Sequence, residues 1–303
     1  MEEAILPQLR YDPLPFLMSN RQPPWIKYQT LVRLLKRPQD DAEVAHWRAL
    51  RDASAEVKHI RERQGSEGWF QGMPWMHIHE YPFLRLLDMG YGLEDETVRR
   101  TVQHLLQYQL PEGGYMHPAG RKVNIPNPRV GWGACVSGYV TKALMDLGLL
   151  EHPAVQKSLH VMLDRQRKTG GWICRHAQDR FPYCILSGTP WVFACLAQAG
   201  FLARRRNVTK WALAVFSHHK EKIIRHGYQK DRCYRCDEAL LLPFLHKAGV
   251  SHRHHLFRDL QKSLLDKQRE DGGWPFGGRY SVQRSGWYSI ECVAALQTVD
   301  ALR

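Results

Sequence analysis

The feature that most limits what this chain can fold into is a repeated turn. Gln109 leads through LPEGG to Tyr115, Gln166 through RKTGG to Trp172, and Gln268 through REDGG to Trp274. A shorter copy runs from Gln64 through GSEG to Trp69, and HGY at His226–Tyr228 is a degenerate copy. Each clear copy follows an amphipathic segment with charges on one face, such as HPAVQKSLHVMLDRQ. Each is followed, after a loop, by a segment that is apolar nearly all round, such as ACVSGYVTKALMDLG. A Leu and then a Gly four residues on close these segments at Leu86 and Gly90, Leu144 and Gly148, Leu196 and Gly200, and Leu245 and Gly249; the last copy has Leu296 and runs to Asp300. A Gly at that place suits the left-handed residue just past a helix C-terminus.

A helix apolar on all sides must be buried on all sides, whereas an amphipathic one covers a core with one face. Alternating the two kinds predicts an inner ring of helices wrapped by an outer ring, because an open solenoid would expose a face of the inner helices. We therefore expect one all-α domain over residues 1–303, an α/α toroid of five to six helix pairs. The repeats occupy 60–303, and the Pro-rich YDPLPF and RQPPW read as an extended N-terminal arm over 1–25. Helices are expected at Ile26–Leu35 and Asp41–Arg63, with Asp40 and Asp41 marking a helix start through capping and the macrodipole.

Composition sets the class of partner. The formal charge of +13 favours anionic ligands such as a diphosphate or an acidic polymer, and the basic runs Arg204–Arg206 and His252–His255 fall on expected outer helices. No nucleic-acid reading motif is present. The first residues lack an apolar signal region, and the Trp191–Ala203 stretch is too short and too interrupted to cross a membrane, so a soluble, cytoplasmic protein is expected. Seven cysteines without a signal point to thiols or metal ligands rather than a disulfide framework.

The Gln-x3-Gly-Gly-Trp turns resemble the QW repeats of squalene and oxidosqualene cyclases and the Gly-rich turns of protein prenyltransferase β-subunits, and the opening segment is similar to that of small, stand-alone bacterial relatives. The resemblance implies the toroid fold. It also implies a terpene cyclase-like or prenyltransferase-like enzyme acting on an isoprenoid or other apolar substrate. In DRCYRCDEALLLPFL, Asp231 and Cys233 fall where the prenyltransferases place two zinc ligands, while Tyr288 stands where the third is a His. Laid against the cyclase acid motif, the same segment puts Asp237 at the proton-donating position and Glu238 beside it, with Arg235 replacing the first Asp.

The residues add further candidates. The starts of the inner helices converge on the mouth of a toroid, which makes Trp75, His79, Trp132, Trp191, Tyr234, Arg235 and Trp287 candidates for substrate contact and Asp237, Glu238 and Tyr288 candidates for catalysis. Aromatic faces there would stabilise a cation or stack as core. An ordinary helix-start role for Asp237 and Glu238 stands beside the catalytic one. Cys174, His176 and Cys184 form an alternative zinc set. No cofactor other than possible zinc follows. Two other classes stay open: a binding toroid without chemistry, and a polysaccharide lyase-like enzyme on an acidic polymer.

Overall fold

The structure is a computed structural model that describes residues 9–68, 70, 82–115, 133–168, 170–173, 184–226, 236–276 and 282–300. It is all-α. Short α1 (Leu14–Leu17) leads into α2 (Pro24–Gln29), which widens into an i→i+5 turn over Thr30–Leu34. α3 (Ala42–Asp52) and α4 (Ala55–Glu62) follow. Five inner helices come next: α5 (Pro82–Asp88), α7 (Ala134–Asp146), α9 (Cys184–Gln198), α12 (Glu238–Lys247) and α14 (Val282–Asp300). Between them run the outer helices α6 (Glu96–Gln107), α8 (Pro153–Asp164), α10 (Arg206–His218) with α11 (Lys220–His226), and α13 (His255–Asp266).

The inner elements pack in chain order, α7 on α9, α9 on α12 and α12 on α14. The ring then closes on the start of the chain. α14 packs on α2 and on the wide turn after it, and Gln297 Nε2 donates to the Leu34 carbonyl at 3.2 Å. On the other side Gln29 Nε2 donates to the carbonyl of Asp88, at the end of α5, at 2.8 Å. Residues 24–34 are thus a sixth inner element, although no Gln-Gly-Gly-aromatic turn precedes them.

The repeated turn is an inter-unit clasp. The Gln side-chain amide donates to a carbonyl in the first turn of the next outer helix: Gln64 to Thr97 at 2.8 Å, Gln109 to Ala154 at 2.6 Å and Gln166 to Val208 at 3.1 Å. The aromatic residue turns inward. The indole N–H of Trp172 donates to Met162 O and that of Trp274 to Leu264 O, both on the preceding outer helix. The backbone N–H of the aromatic residue is caught by a hydroxyl on the inner helix that follows: Tyr115 by Ser137, Trp172 by Thr189, and Trp274 by Ser289. Each such hydroxyl satisfies a buried donor that would otherwise be costly.

At the last turn, among the described residues, the arm stands where an outer helix meets the other turns. Gln268 Nε2 donates to Tyr11 O at 2.7 Å, and its Oε1 accepts from Arg10 N and Tyr11 N at 3.0 and 3.2 Å. Gly272 lies against the Asp12 backbone. The arm is therefore the surrogate outer layer of the sixth unit.

Local signals hold where they are local. Asp41 caps α3 by accepting from Glu43 N and Val44 N. The helix expected over Asp41–Arg63 is broken at Ala53–Ser54, because Ser54 accepts from Val57 N and starts α4 afresh. Gly90, Gly148, Gly200 and Gly249 all take positive φ after their inner helices. Among the described residues no helix is long and apolar enough to cross a membrane.

Candidate functional site

The inner ring lines a cavity of about 870 Å³ that opens to one side. Its apolar wall comes from Leu84 and Leu87 of α5, Tyr139 and Ala143 of α7, Trp191 of α9, Leu240, Pro243 and Phe244 of α12, and Trp287 and Ala294 of α14. The size lies within the range of small-molecule sites, which are mostly apolar with a few polar groups. The Trp191 indole N–H is buried there without a hydrogen-bond partner among the described residues. Tyr139 is fully buried, and that burial holds its phenol well above the usual range, so it faces the cavity as a neutral O–H.

Charge enters this wall from four inner elements. Arg33 lies in the wide turn that interrupts the first inner element, a kind of irregularity that recurs at functional sites. Its guanidinium donates to Glu291 of α14 at 2.7 Å. Glu291 first, and Asp88 and Asp146 with it, raise Arg33 above its ordinary value against the opposing effect of burial. On α7, Lys142 Nζ lies 2.6 Å from Asp146 Oδ1, which also accepts from Gln198 at 3.2 Å. The same ammonium stands 5.3 Å over the Phe244 ring. Glu94 completes the polar lining at the edge.

The residues singled out in the sequence are placed as follows. Trp191 on α9 and Trp287 on α14 line the cavity on either side of α12. Asp237 is buried at the start of α12 and caps it, its Oδ1 accepting from Leu240 N at 2.8 Å. It is not part of the cavity wall, but Leu240, whose N–H it holds, is. Glu238 is fully buried and turned toward the outer layer, where Ser263 Oγ donates to it at 2.6 Å and Lys267 pairs with it. Burial pushes its carboxyl above the usual range, and Lys267 and Ser263 oppose that shift. Tyr288 packs its ring against Phe276 at 5.2 Å rather than into the cavity. Trp75, His79, Trp132, Asp231, Cys233, Tyr234, Arg235, Cys174 and His176 lie outside the described residues, as does the side chain of Cys184. Among the described residues, no group of three or more His, Cys, Asp or Glu could hold a metal ion.

Arg33, Asp88, Tyr139, Lys142, Asp146, Phe244 and Glu291 were not singled out by the sequence. The signal available was an acid or a base inside an otherwise apolar inner helix, as with Lys142 and Glu291.

No family model matches this sequence, and no curated protein matches it. Solved structures do. The chain is similar to the type II terpene cyclase MstE from Scytonema in its apo form, with 14% identity and a TM-score of 0.50 over 92% of this chain and 88% of that one. A variant of MstE in complex with geranylgeranyl dihydroxybenzoate, its substrate, gives 14% and 0.50 over 93% and 88%. Another, in complex with the product merosterolic acid A, gives 14% and 0.50 over 92% and 88%. The fold is the α/α toroid of the terpenoid cyclases. At this identity the likeness speaks for the toroid and not for its chemistry, since function sits in sites grafted on folds.

Proposed function

We propose that this toroid is terpene cyclase-like and takes an isoprenoid-type, apolar substrate in its central cavity. The observation that carries the reading is the cavity itself, about 870 Å³ of space walled by Tyr139, Trp191, Phe244 and Trp287. A collapsed ring would instead have filled that space with side chains, as close-packed interiors do. The MstE structures, in which a geranylgeranyl substrate or its product is bound, support the choice of ligand class.

Within this reading Asp237 is the candidate acid. Its carboxyl is buried one helical turn from the wall residue Leu240 and is anchored by that residue's N–H. An acid that protonates an alkene has to be positioned within reach of the double bond in a site closed to water. Glu238 serves α12 from the other side, tying it to Ser263 and Lys267. Tyr288 supports the neighbouring Trp287 through Phe276, whose ring meets both. A polysaccharide lyase-like activity is less well supported, because an acidic polymer would meet more carboxylates than cations among the described wall residues.

The test is incubation of the purified chain with linear isoprenoids of increasing length, followed by extraction and mass spectrometry. Native mass spectrometry on the same samples detects binding. Cyclised product lost in Asp237→Asn, with ligand still bound, is the expected result. Binding without any conversion would reduce the protein to a binding toroid. No binding at any chain length would refute the reading.

A further inference from the structure

One outer helix differs from the rest in what it shows to solvent. Between Asp164 and Glu221 the chain has a single acid, Asp179, against ten Lys and Arg. α10 comes from that stretch and contains no acid at all. It buries Ala212, Val215 and Phe216, and its exposed stripe runs through Asn207, Lys210, Trp211, Ala214 and His218 at helical spacing. Trp211 is 42% exposed, the barest large apolar side chain among the described residues. Arg205 and Arg206 stand exposed at the helix start, beside a shallow hollow that they line with Asn207. The turn before α9 adds Arg167 and Lys168, both exposed, because it docks here: Gln166 Nε2 donates to Val208 O, and Gly170 lies against Trp211 O. None of these five cations has an ion-pair partner among the described residues. Lys58 on α4, Arg99 on α6 and Lys262 on α13 are held by Glu62, Glu96 and Asp266.

These residues also belong to a defined end of the toroid. α7 and α9 run parallel, since Gly188 meets Ala134 near their starts and Gln198 bonds Asp146 at their ends. Both finish where Asp146 and Leu147 edge the cavity, and the chain turns from there through Leu202–Arg204 into α10. Cations set around an exposed indole match a partner that is anionic at its surface and apolar beneath it. A nucleic acid or an acidic protein supplies the charge alone. A bilayer containing anionic lipid supplies both, because its head groups attract Lys and Arg and its interface takes indole rings, which have an apolar body and a polar N–H. We propose that the start of α10, with the turn at Arg167 and Lys168, is a docking surface for an anionic lipid bilayer, held peripherally. The surface goes beyond the proposed function and stands without it. Where the cavity takes an apolar substrate, docking brings the cavity edge to the phase in which such molecules dissolve.

The test is co-sedimentation of the full-length chain with vesicles of phosphatidylcholine alone, and of phosphatidylcholine mixed with phosphatidylserine, with no isoprenoid present. Binding is expected to the mixed vesicles only, and it should fall as salt is raised, because exposed charges are screened. Each Lys or Arg near an anionic membrane contributes about fivefold, so Arg205→Gln combined with Arg206→Gln should weaken binding about 30-fold. Trp211→Ser should weaken it severalfold and leave the salt dependence as it was. Lys58→Gln combined with Arg99→Gln removes the same formal charge from α4 and α6 and should leave binding nearly unchanged. Thermal melts establish that each variant is folded, and the wild-type preference for mixed vesicles stands without any variant. No binding to the mixed vesicles, or equal weakening by the two double variants, would overturn the docking surface. A tighter hold on RNA or polyglutamate than on the mixed vesicles, lost in the Arg205 and Arg206 variant, would overturn the choice of lipid in favour of a soluble polyanion. Each of these results leaves the reading of the cavity untouched.

Discussion

Replacing Gln268 by Ala should open the ring at its seam. Gln268 is nearly fully buried and makes four hydrogen bonds, accepting from Arg10 N and Tyr11 N and donating to Tyr11 O and Gly272 O. Its removal leaves all four backbone groups without their partner. At about 0.5–1.5 kcal/mol net for each bond, the loss is about 2–6 kcal/mol. Water reaching the freed arm groups brings the expectation to about 2–4 kcal/mol. The control is Gln109→Ala in an interior turn, where the side chain holds Ala154 O and Ser158 Oγ. That change should cost roughly half as much by the same arithmetic, and it leaves the arm clasped. Urea denaturation measures the loss. Limited trypsin digestion reports the arm, since Arg10 and Arg21 flank the clasped segment. Gln268→Ala should make those sites cleavable under native conditions, and Gln109→Ala should not. Equal destabilisation by both variants, with the arm protected in each, would refute the view that the arm stands in for an outer helix.

Three further outcomes follow from the same geometry. Gly272→Ala should cost about 3 kcal/mol or more, because a left-handed backbone (φ +84°) is combined with a Cβ that would overlap the Asp12 carbonyl; Gly148→Ala, with φ +81° and open space around it, should cost only about 1–2 kcal/mol by thermal melts. Trp191→Ala should enlarge the cavity and weaken any apolar ligand about tenfold or more in calorimetry while the chain stays folded, and unchanged affinity would remove Trp191 from the site. Burial lowers His104, His219, His246 and His254 below their ordinary value of 6.5. The unfolded chain therefore takes up protons first, so their contribution to stability is complete above pH 6.5 and is lost as pH falls through the lowered values. Glu238 has the opposite sign, losing stability as pH rises through its raised value. Melting temperature should thus fall on acidification below pH 6.5, and His104→Gln should flatten that slope; an unchanged slope would refute the assignment.

What the sequence shows of the fold is whatever a short stretch of chain decides by itself. The Asp41 cap and the glycine stops are each settled within a few residues, and they were readable, whereas the Gln-Gly-Gly-aromatic turns were readable as a repeat but not as clasps, since their Gln side chains bond residues 33 to 45 positions on. The sixth inner element was readable as a helix but not as a ring member. No clasp precedes it, and Lys36 (φ 53°) rather than a Gly ends it. Of the site, Trp191 and Trp287 were legible because the repeat puts an aromatic residue at the same place in successive units. The charged wall was not. Arg33 and Glu291 stand 258 positions apart in the chain and meet only when the ring closes. Asp237 was legible as a carboxylate at a helix start, and its cap bond to Leu240 N is the ordinary half of that reading.

The seam at the arm also dictates an order of assembly. A linear array of repeats can fold as it leaves the ribosome and can gain or lose a unit without offence to the rest. Here the first inner element, at Pro24–Leu34, has to wait for α14, which is made after all the other described inner helices. Until then two apolar inner faces lie open at the break. Inserting or deleting a helix pair would leave the arm without the turn it clasps, so the number of units is fixed by closure and not by the repeat.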